Sequence, residues 1–147
     1  MKSYIFIIIP LISVALAQVL KFIYEAIIYK KINILRLLDG SGGMPSSHST
    51  LVSSLVTILI IKLGLDNPIT AVSIVFGVIV LYDAMGIRYE AGKQAEIINK
   101  LVEKSKLFDA KTEMRKLKEK VGHKPIEVLC GILLGIFLSI VLSNILI

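Results

Sequence analysis

Tryptophan is absent from this chain of 147 residues, and cysteine occurs once, at Cys130. A lone cysteine in an apolar run excludes an intrachain disulfide and leaves the redox compartment open. Without tryptophan, any aromatic belt at a membrane interface has to come from tyrosine and phenylalanine. Charge is scarce too: 19% of residues are charged, against about 25% in a typical soluble domain. Histidine appears only twice, at His48 and His123. No internal repeat and no low-complexity segment interrupts the chain. The length allows one domain and leaves no room for a separate soluble catalytic module beside a membrane anchor.

What is abundant is hydrocarbon: 55% of residues are hydrophobic and the mean hydropathy is +0.80. Lipid is the solvent such a chain is built for. The net charge of +6 could suggest nucleic acid, but most of it lies in one segment between apolar blocks. A membrane surface with anionic lipids accounts for it better.

Four apolar segments stand out. They are Tyr4 to Leu20, continuing past Lys21 to Tyr29, then Ser47 to Ile61, Ile69 to Tyr82, and Ile126 to Ile147. A spanning helix needs about 20 mostly apolar residues, so the second and third must borrow flanking turns or tilt. Between Arg88 and Lys124 lie eleven basic and six acidic residues. Apolar residues recur there at helical spacing, at Ile97, Ile98, Leu101 and Val102, and again around Met114, Leu117 and Val121. One or two amphipathic helices on the membrane surface fit this pattern, and so does a solvated charged hairpin.

The expected fold is therefore all-α: a single membrane domain over 1–147, with spans at about 4–29, 47–63, 68–87 and 125–147 and a surface insert at about 88–124. Ala15-Leu16-Ala17 before Gln18 has the look of a signal-peptide cleavage site. Apolar character resumes at Val19, Leu20 and Phe22, however, which favours one uncut helix. Lys30, Lys31, Arg36 and the insert cations share one side of the membrane, which the positive-inside rule makes the cytoplasm.

Every polar cluster able to do chemistry falls at that same face. Lys21 lies near the end of the first span, and Gly42-Gly43-Met44-Pro45-Ser46-Ser47-His48-Ser49 opens the second. Asp83 and Arg88 close the third, and Gly122-His123-Lys124-Pro125-Ile126-Glu127 opens the fourth. Pro45 and Pro125 suit the first turn of a helix. Serines and first-turn amides there form an anion cradle favoured by the helix dipole. For the bare motif, a plain capped helix start with His48 packed or hydrogen-bonded is the commoner reading. Glu127, four residues after His123, either orients that histidine or caps its helix. Lys21 is either a charge held for a substrate or a snorkelling stem. Arg88 either serves the site or completes a helix dipole, and Asp83 pairs with a cation or orients a histidine.

Gly-Gly-Met-Pro-Ser-Ser-His-Ser, then Asp83-Ala-Met-Gly-Ile-Arg88 with Ala91-Gly92 and Gln94, then Gly-His-Lys-Pro-Ile-Glu-Val, resembles the divergent branch of the type 2 phosphatidic acid phosphatase family. The resemblance covers nearly the whole chain. It implies a membrane-embedded lipid phosphate monoesterase that works through a phosphohistidine, with no metal and no cofactor. By position, His123 is implied as nucleophile, Glu127 as the orienting acid and His48 as the general acid. Ser46, Ser47 and amides near Gly43 would hold phosphate oxygens, with Lys21 as a charge clamp. Arg88 would supply charge from another span.

Several positions depart from the parent pattern K-x6-R-P, P-S-G-H and S-R-x5-H-x3-D. Ile28 stands where the first motif has arginine, Ser47 where the second has glycine, and Lys116 and Leu117 where the third has Ser-Arg. Lys30, Lys31 or Arg36 are the nearby cations able to substitute for the first of these. Glu127 replaces an aspartate, and there are four spans where the parent family has six. The implied partners are the membrane and a lipid phosphate such as a phosphatidate, a phosphatidylglycerophosphate or a polyprenyl phosphate. One alternative is a non-catalytic protein that binds or moves anionic lipid with the same cradle. Another is a headgroup transferase, for which the further spaced aspartates are missing.

Overall fold

A computed structural model describes residues 3–30, 42–105, 116–119 and 121–146. The described residues form five helices: α1 (Ile5–Tyr29), α2 (Ser47–Leu63), α3 (Pro68–Met85), α4 (Ile87–Ser105) and α5 (Pro125–Leu146). No strand occurs among the described residues. The chain is an all-helical integral membrane bundle. Among the described residues three helical stretches, Ile5–Ile28, Pro68–Lys104 and Pro125–Leu146, are long and apolar enough to cross a membrane, and α2 is a shorter apolar helix of 17 residues. At 1.5 Å per residue α2 is about 26 Å long, a little under the ~30 Å hydrocarbon layer. α1 runs unbroken through Ala17 and Gln18.

Local chemistry sets the helix limits. The Ser46 side chain accepts the N–H of Ser49, which makes Ser46 the cap of α2. Pro45 therefore lies outside the first turn that the sequence suggested for it, because a serine able to cap stands between it and the helix. Gly64 ends α2 with φ +83°, in the left-handed region that glycine enters without penalty. Asn67 then caps α3 through a 2.9 Å bond from the Ile69 N–H, with Pro68 as first residue. At the other end, Pro125 opens α5 as expected.

α2 sits at the centre, packed on α1, α3 and α5. Lipid tails are as apolar as leucine, so burial of hydrocarbon does not drive these helices together; close packing and hydrogen bonds do. α5 buries Val128, Gly131, Gly135, Ser139 and Ser143, a stripe of mostly small residues at a spacing of three and four. A Cβ on Gly131 would lie 2.5 Å from the Ser46 carbonyl oxygen, and one on Gly135 would lie 2.5 Å from that of Thr50. The two backbones meet there. Midway along the bundle, the Ser54 hydroxyl lies 3.0 Å from that of Ser13 and 2.7 Å from that of Ser139, linking α2 to α1 and α5. Ser139 also donates to the Ser54 carbonyl at 2.8 Å. The end opposite the candidate site is closed by Ile5, Ile9 and Ile58, with Phe6 and Leu142 against them.

α3 is attached differently. Only Thr70, Gly77 and Ala84 are buried along it, while Val72, Val75, Phe76, Ile79 and Tyr82 are more than half exposed to the surrounding lipid. α4 follows after Gly86 and turns exposed Ile97, Ile98 and Leu101 outward among lysines, as an amphipathic helix should. Its small side is covered by the returning chain. Asn99 Nδ2 donates to the Leu117 carbonyl at 2.9 Å, and Oδ1 accepts the Leu117 N–H at 3.0 Å. The same amide nitrogen reaches Glu119 Oε1 at 2.9 Å. Residues 116–119 are thus a non-helical segment pinned to α4, not the second amphipathic helix that Leu117 and Val121 suggested. Met114, the other residue of that pattern, lies outside the described residues.

Candidate active site

The start of α2, the start of α5, the end of α3 and the last turns of α1 meet at one end of the bundle. Two main-chain bonds fix the meeting. Ser46 N–H donates to the Glu127 carbonyl at 3.0 Å, which ties the cap of α2 to the first turn of α5. His123 N–H donates to the Ala84 carbonyl at 3.1 Å, which ties the segment before α5 to the end of α3. Gly122 makes this approach possible, since a Cβ there would overlap the backbone of Tyr89.

These bonds bring together the two histidines of the chain. The ring centroids of His48 and His123 are 6.4 Å apart, with ring planes at 78°. His48 is the second residue of α2 and half-buried, whereas His123 is 2% exposed. Arg88, Lys21 and Asp83 are all close enough to act on His48 electrostatically. Lys21 is fully buried, so it does not snorkel along an exposed stem. A charged side chain held inside a bundle at membrane depth is costly, and its usual justification is a functional one.

The remaining sequence candidates divide into two groups. Ser47 is 4% exposed and its hydroxyl has no hydrogen-bond partner among the described residues. By helix geometry the first-turn amides of Ser47 and His48 have no acceptor within α2. Gly43, with φ +93°, lines a polar cavity of about 460 Å³ together with Glu25, Lys93, Lys124 and Glu127. Ser46, by contrast, is consumed by structure: its side-chain oxygen takes the Ser49 N–H, the Ser49 hydroxyl lies 2.9 Å away, and its carbonyl accepts from Thr50.

Glu127 follows the capping alternative. Its Oε2 accepts the Lys124 N–H at 3.2 Å, across the first turn of its own helix. His123 precedes Pro125, the first residue of α5, so the two do not share a helix face as their spacing allowed. Arg88 Nε lies 2.5 Å from Asp83 Oδ2, an ion pair half-open to solvent. Asp83 thus pairs with a cation, as one of its two readings had it. Of the cations that could stand in for the first motif's arginine, Lys30 is exposed just past α1, and Lys31 and Arg36 lie outside the described residues. Among the described residues no group of three or more His, Cys, Asp or Glu side chains is placed to hold a metal ion.

Sequence reasoning missed three supports of this site. Ala84 contributes only a carbonyl, for which sequence has no signal. Asn99 was detectable as the one amide on the small side of α4, beside buried Gly92 and Ala95. The stripe Gly131, Gly135, Ser139, Ser143 has a period of four and is legible as a close-packing face.

Comparison with known proteins agrees with this picture. Residues 3–138 match the model of the "Divergent PAP2 family". A Bacillus subtilis (strain 168) protein named "Uncharacterized membrane protein YuiD" is 43% identical, over 90% of each chain. No solved structure matches the chain. The match spans all four elements that converge on the two histidines, and the chain belongs to the divergent PAP2 family.

Proposed function

We propose that the protein is a lipid phosphate monoester phosphatase that works through a phosphohistidine, with His123 as nucleophile and His48 as general acid. The observation that carries this reading is the 6.4 Å approach of the two histidines, at an end of the bundle that also gathers Lys21, Ser47 and Arg88. A neutral ring nitrogen of His123 attacks phosphorus and the P–O bond to the lipid alcohol breaks. The His48 imidazolium gives its proton to the departing oxygen. Water then attacks the phosphohistidine while neutral His48 takes a proton from it. Inorganic phosphate leaves and both histidines are restored.

Phosphoryl transfer needs positive charge and oriented donors around the equatorial oxygens more than it needs covalent help. Buried Lys21 supplies the first, with Arg88 contributing across its pair with Asp83. The Ser47 hydroxyl, the amides of Ser47 and His48 and the loop at Gly43 supply the second. Glu127 and Ser46 serve by holding the starts of α5 and α2 at the separation the chemistry needs. The substrate is a membrane lipid phosphate such as a phosphatidate, a phosphatidylglycerophosphate or a polyprenyl phosphate. The cationic insert supports a site at the cytoplasmic face, which in a bacterial cell is that of the plasma membrane.

The test is phosphate release by the purified protein from a panel of lipid phosphates, with and without EDTA, beside His123→Ala. EDTA-resistant release that the variant loses is the expected result. The rate should also show two limbs in pH. It falls on the acid side as the nucleophile protonates and on the basic side as the general acid loses its proton.

Binding or transport of anionic lipid without turnover is the second reading. It draws on Ile28 and Leu117 at the motif arginine positions and on the engagement of Arg88 by Asp83. It requires lipid phosphate binding with no phosphate released, and more sensitivity to loss of Lys21 than of His123.

A further inference from the structure

Between α2, α3 and α5 lies an apolar groove of about 270 Å³, with Val52, Val56 and Ile60 on one wall, Gly77 and Leu81 on the second and Ile132 on the third. Two hydroxyls stand in the α2 wall, but neither faces it with an unmet need. Ser53 donates to the Ser49 carbonyl and Thr57 to the Ser53 carbonyl, each at 2.7 Å. The groove exists because α5 is drawn against α2 at Gly131 and Gly135 while α3 touches α2 mainly through small residues. The third side is left unfilled.

The groove starts close to the candidate site. Val52 stands one turn after His48, and Val56 and Ile60 follow it along α2, the row turning about 40° around the helix at each step. The distance from His48 to Ile60 along the axis is about 18 Å. Leu81 is one turn before Ala84, whose carbonyl holds His123, and Ile132 lies along α5 from the same segment. We infer that this groove seats one hydrocarbon tail of the lipid whose phosphate reaches His48 and His123, and that Gly77 sets the depth available to it.

The occupant follows from the setting: the groove lies between apolar helices, its walls are mostly hydrocarbon, and its upper end is one turn from His48 on α2 and one turn from Ala84 on α3. At roughly 30 Å³ per methylene, similar to the share of a water molecule in the liquid, it holds about nine methylenes, enough for part of one chain and not for two. A tail entering it leaves one apolar medium for another, so little hydrophobic free energy is gained. The gain is orientation, which directs the phosphate at the histidines and is read in kcat/KM. This inference rests on the phosphatase reading for the headgroup, though not for the tail.

The experiment uses the full-length protein in mixed micelles at fixed detergent, with single-chain alkyl phosphates of increasing length. For the wild type kcat/KM should rise with chain length to about nine carbons and then level. A Cβ on Gly77 would meet Val56 at 3.7 Å and Val52 at 3.9 Å, ordinary contacts, so a longer side chain can start there and fill the groove. Gly77→Leu should lower the ratio of long-chain to short-chain kcat/KM by about tenfold. A flat dependence in the wild type, or an unchanged ratio in a folded Gly77→Leu, overturns the groove.

A second measurement needs neither the variant nor turnover. An alkyl phosphate with a mid-chain diazirine, photolysed with the wild type, should label the peptides over 52–60, 74–81 or 132–136. Labelling confined to α1 or the outer face of α3 overturns the proposal. Labelled groove peptides with no phosphate release from any substrate keep the groove and sink the phosphatase. Phosphate release without groove labelling does the reverse.

Discussion

α5 and α3 are both apolar helices packed against α2, yet they are held in opposite ways. α5 meets α2 backbone to backbone at Gly131 and Gly135 and shares hydroxyls through Ser139 and Ser54. α3 buries only Thr70, Gly77 and Ala84, and at Gly77, in mid-span, even an added Cβ would find only ordinary contacts with α2. The difference separates fixing from access. The helices that carry Lys21 and His48, with the one that follows His123, form a tight trio, and the helix with Asp83 in its last turn stands off enough to leave the apolar groove. The proposed phosphatase needs both, since a lipid substrate enters sideways from the bilayer while the reacting groups must not drift.

The comparison breaks first at the chemistry. His123→Ala should lower phosphate release by at least about 10³-fold. His48→Ala should cost about 10²- to 10³-fold for a lipid alcohol, and less for a good leaving group that needs no proton. On the α3 side, Arg88→Gln should cost nearer tenfold, because that guanidinium is half-exposed and already shares its charge with Asp83. Steady-state rates on one lipid phosphate and one aryl phosphate give all three values. An Arg88 loss as large as that of His123 would put the chemistry on the wrong half of the molecule.

Packing gives the next largest contrast. Gly135→Leu forces a side chain into the Thr50 backbone, and overpacking of that kind costs about 1–3 kcal/mol. Gly77→Ala should stay within about 0.5 kcal/mol of the parent. Thermal unfolding in one detergent, followed by circular dichroism, ranks the two. Ser54→Ala should have the smallest measurable effect on the tight trio, about 0.6 kcal/mol, which is the average for a hydroxyl bonded between membrane helices. A loss several times greater would mean that the hydroxyls of Ser13, Ser54 and Ser139 act as one cooperative network.

Much of this was legible before any coordinates. The four apolar segments, the cap chemistry near Ser46 and Pro125, and the placement of both histidines at one membrane face follow from composition and spacing alone. What sequence could not settle was competition between neighbours for the same job. Ser46 and Pro45 both suit a helix start, and the side chain able to accept an amide took the cap position. Glu127 could bond either a histidine or its own helix, and the bond to Lys124 N–H is local, with almost no chain to order. Leu117 and Val121 carry a helical spacing, but Asn99 offers Leu117 a donor and an acceptor at once, and the Leu117 amide and carbonyl take those in place of helical partners. Period reports which face is apolar; it does not report which partner arrives first.

The bond from His123 N–H to the Ala84 carbonyl joins the two differently held halves, and it does so through main chain alone. No side chain at position 84 is needed for it. Its amide proton is therefore a built-in gauge: the exchange of that one hydrogen with solvent deuterium registers each departure of α3 from the trio, whatever sequence α3 carries. A lipid that props the helix open would quicken the exchange, and one that seals the gap would slow it.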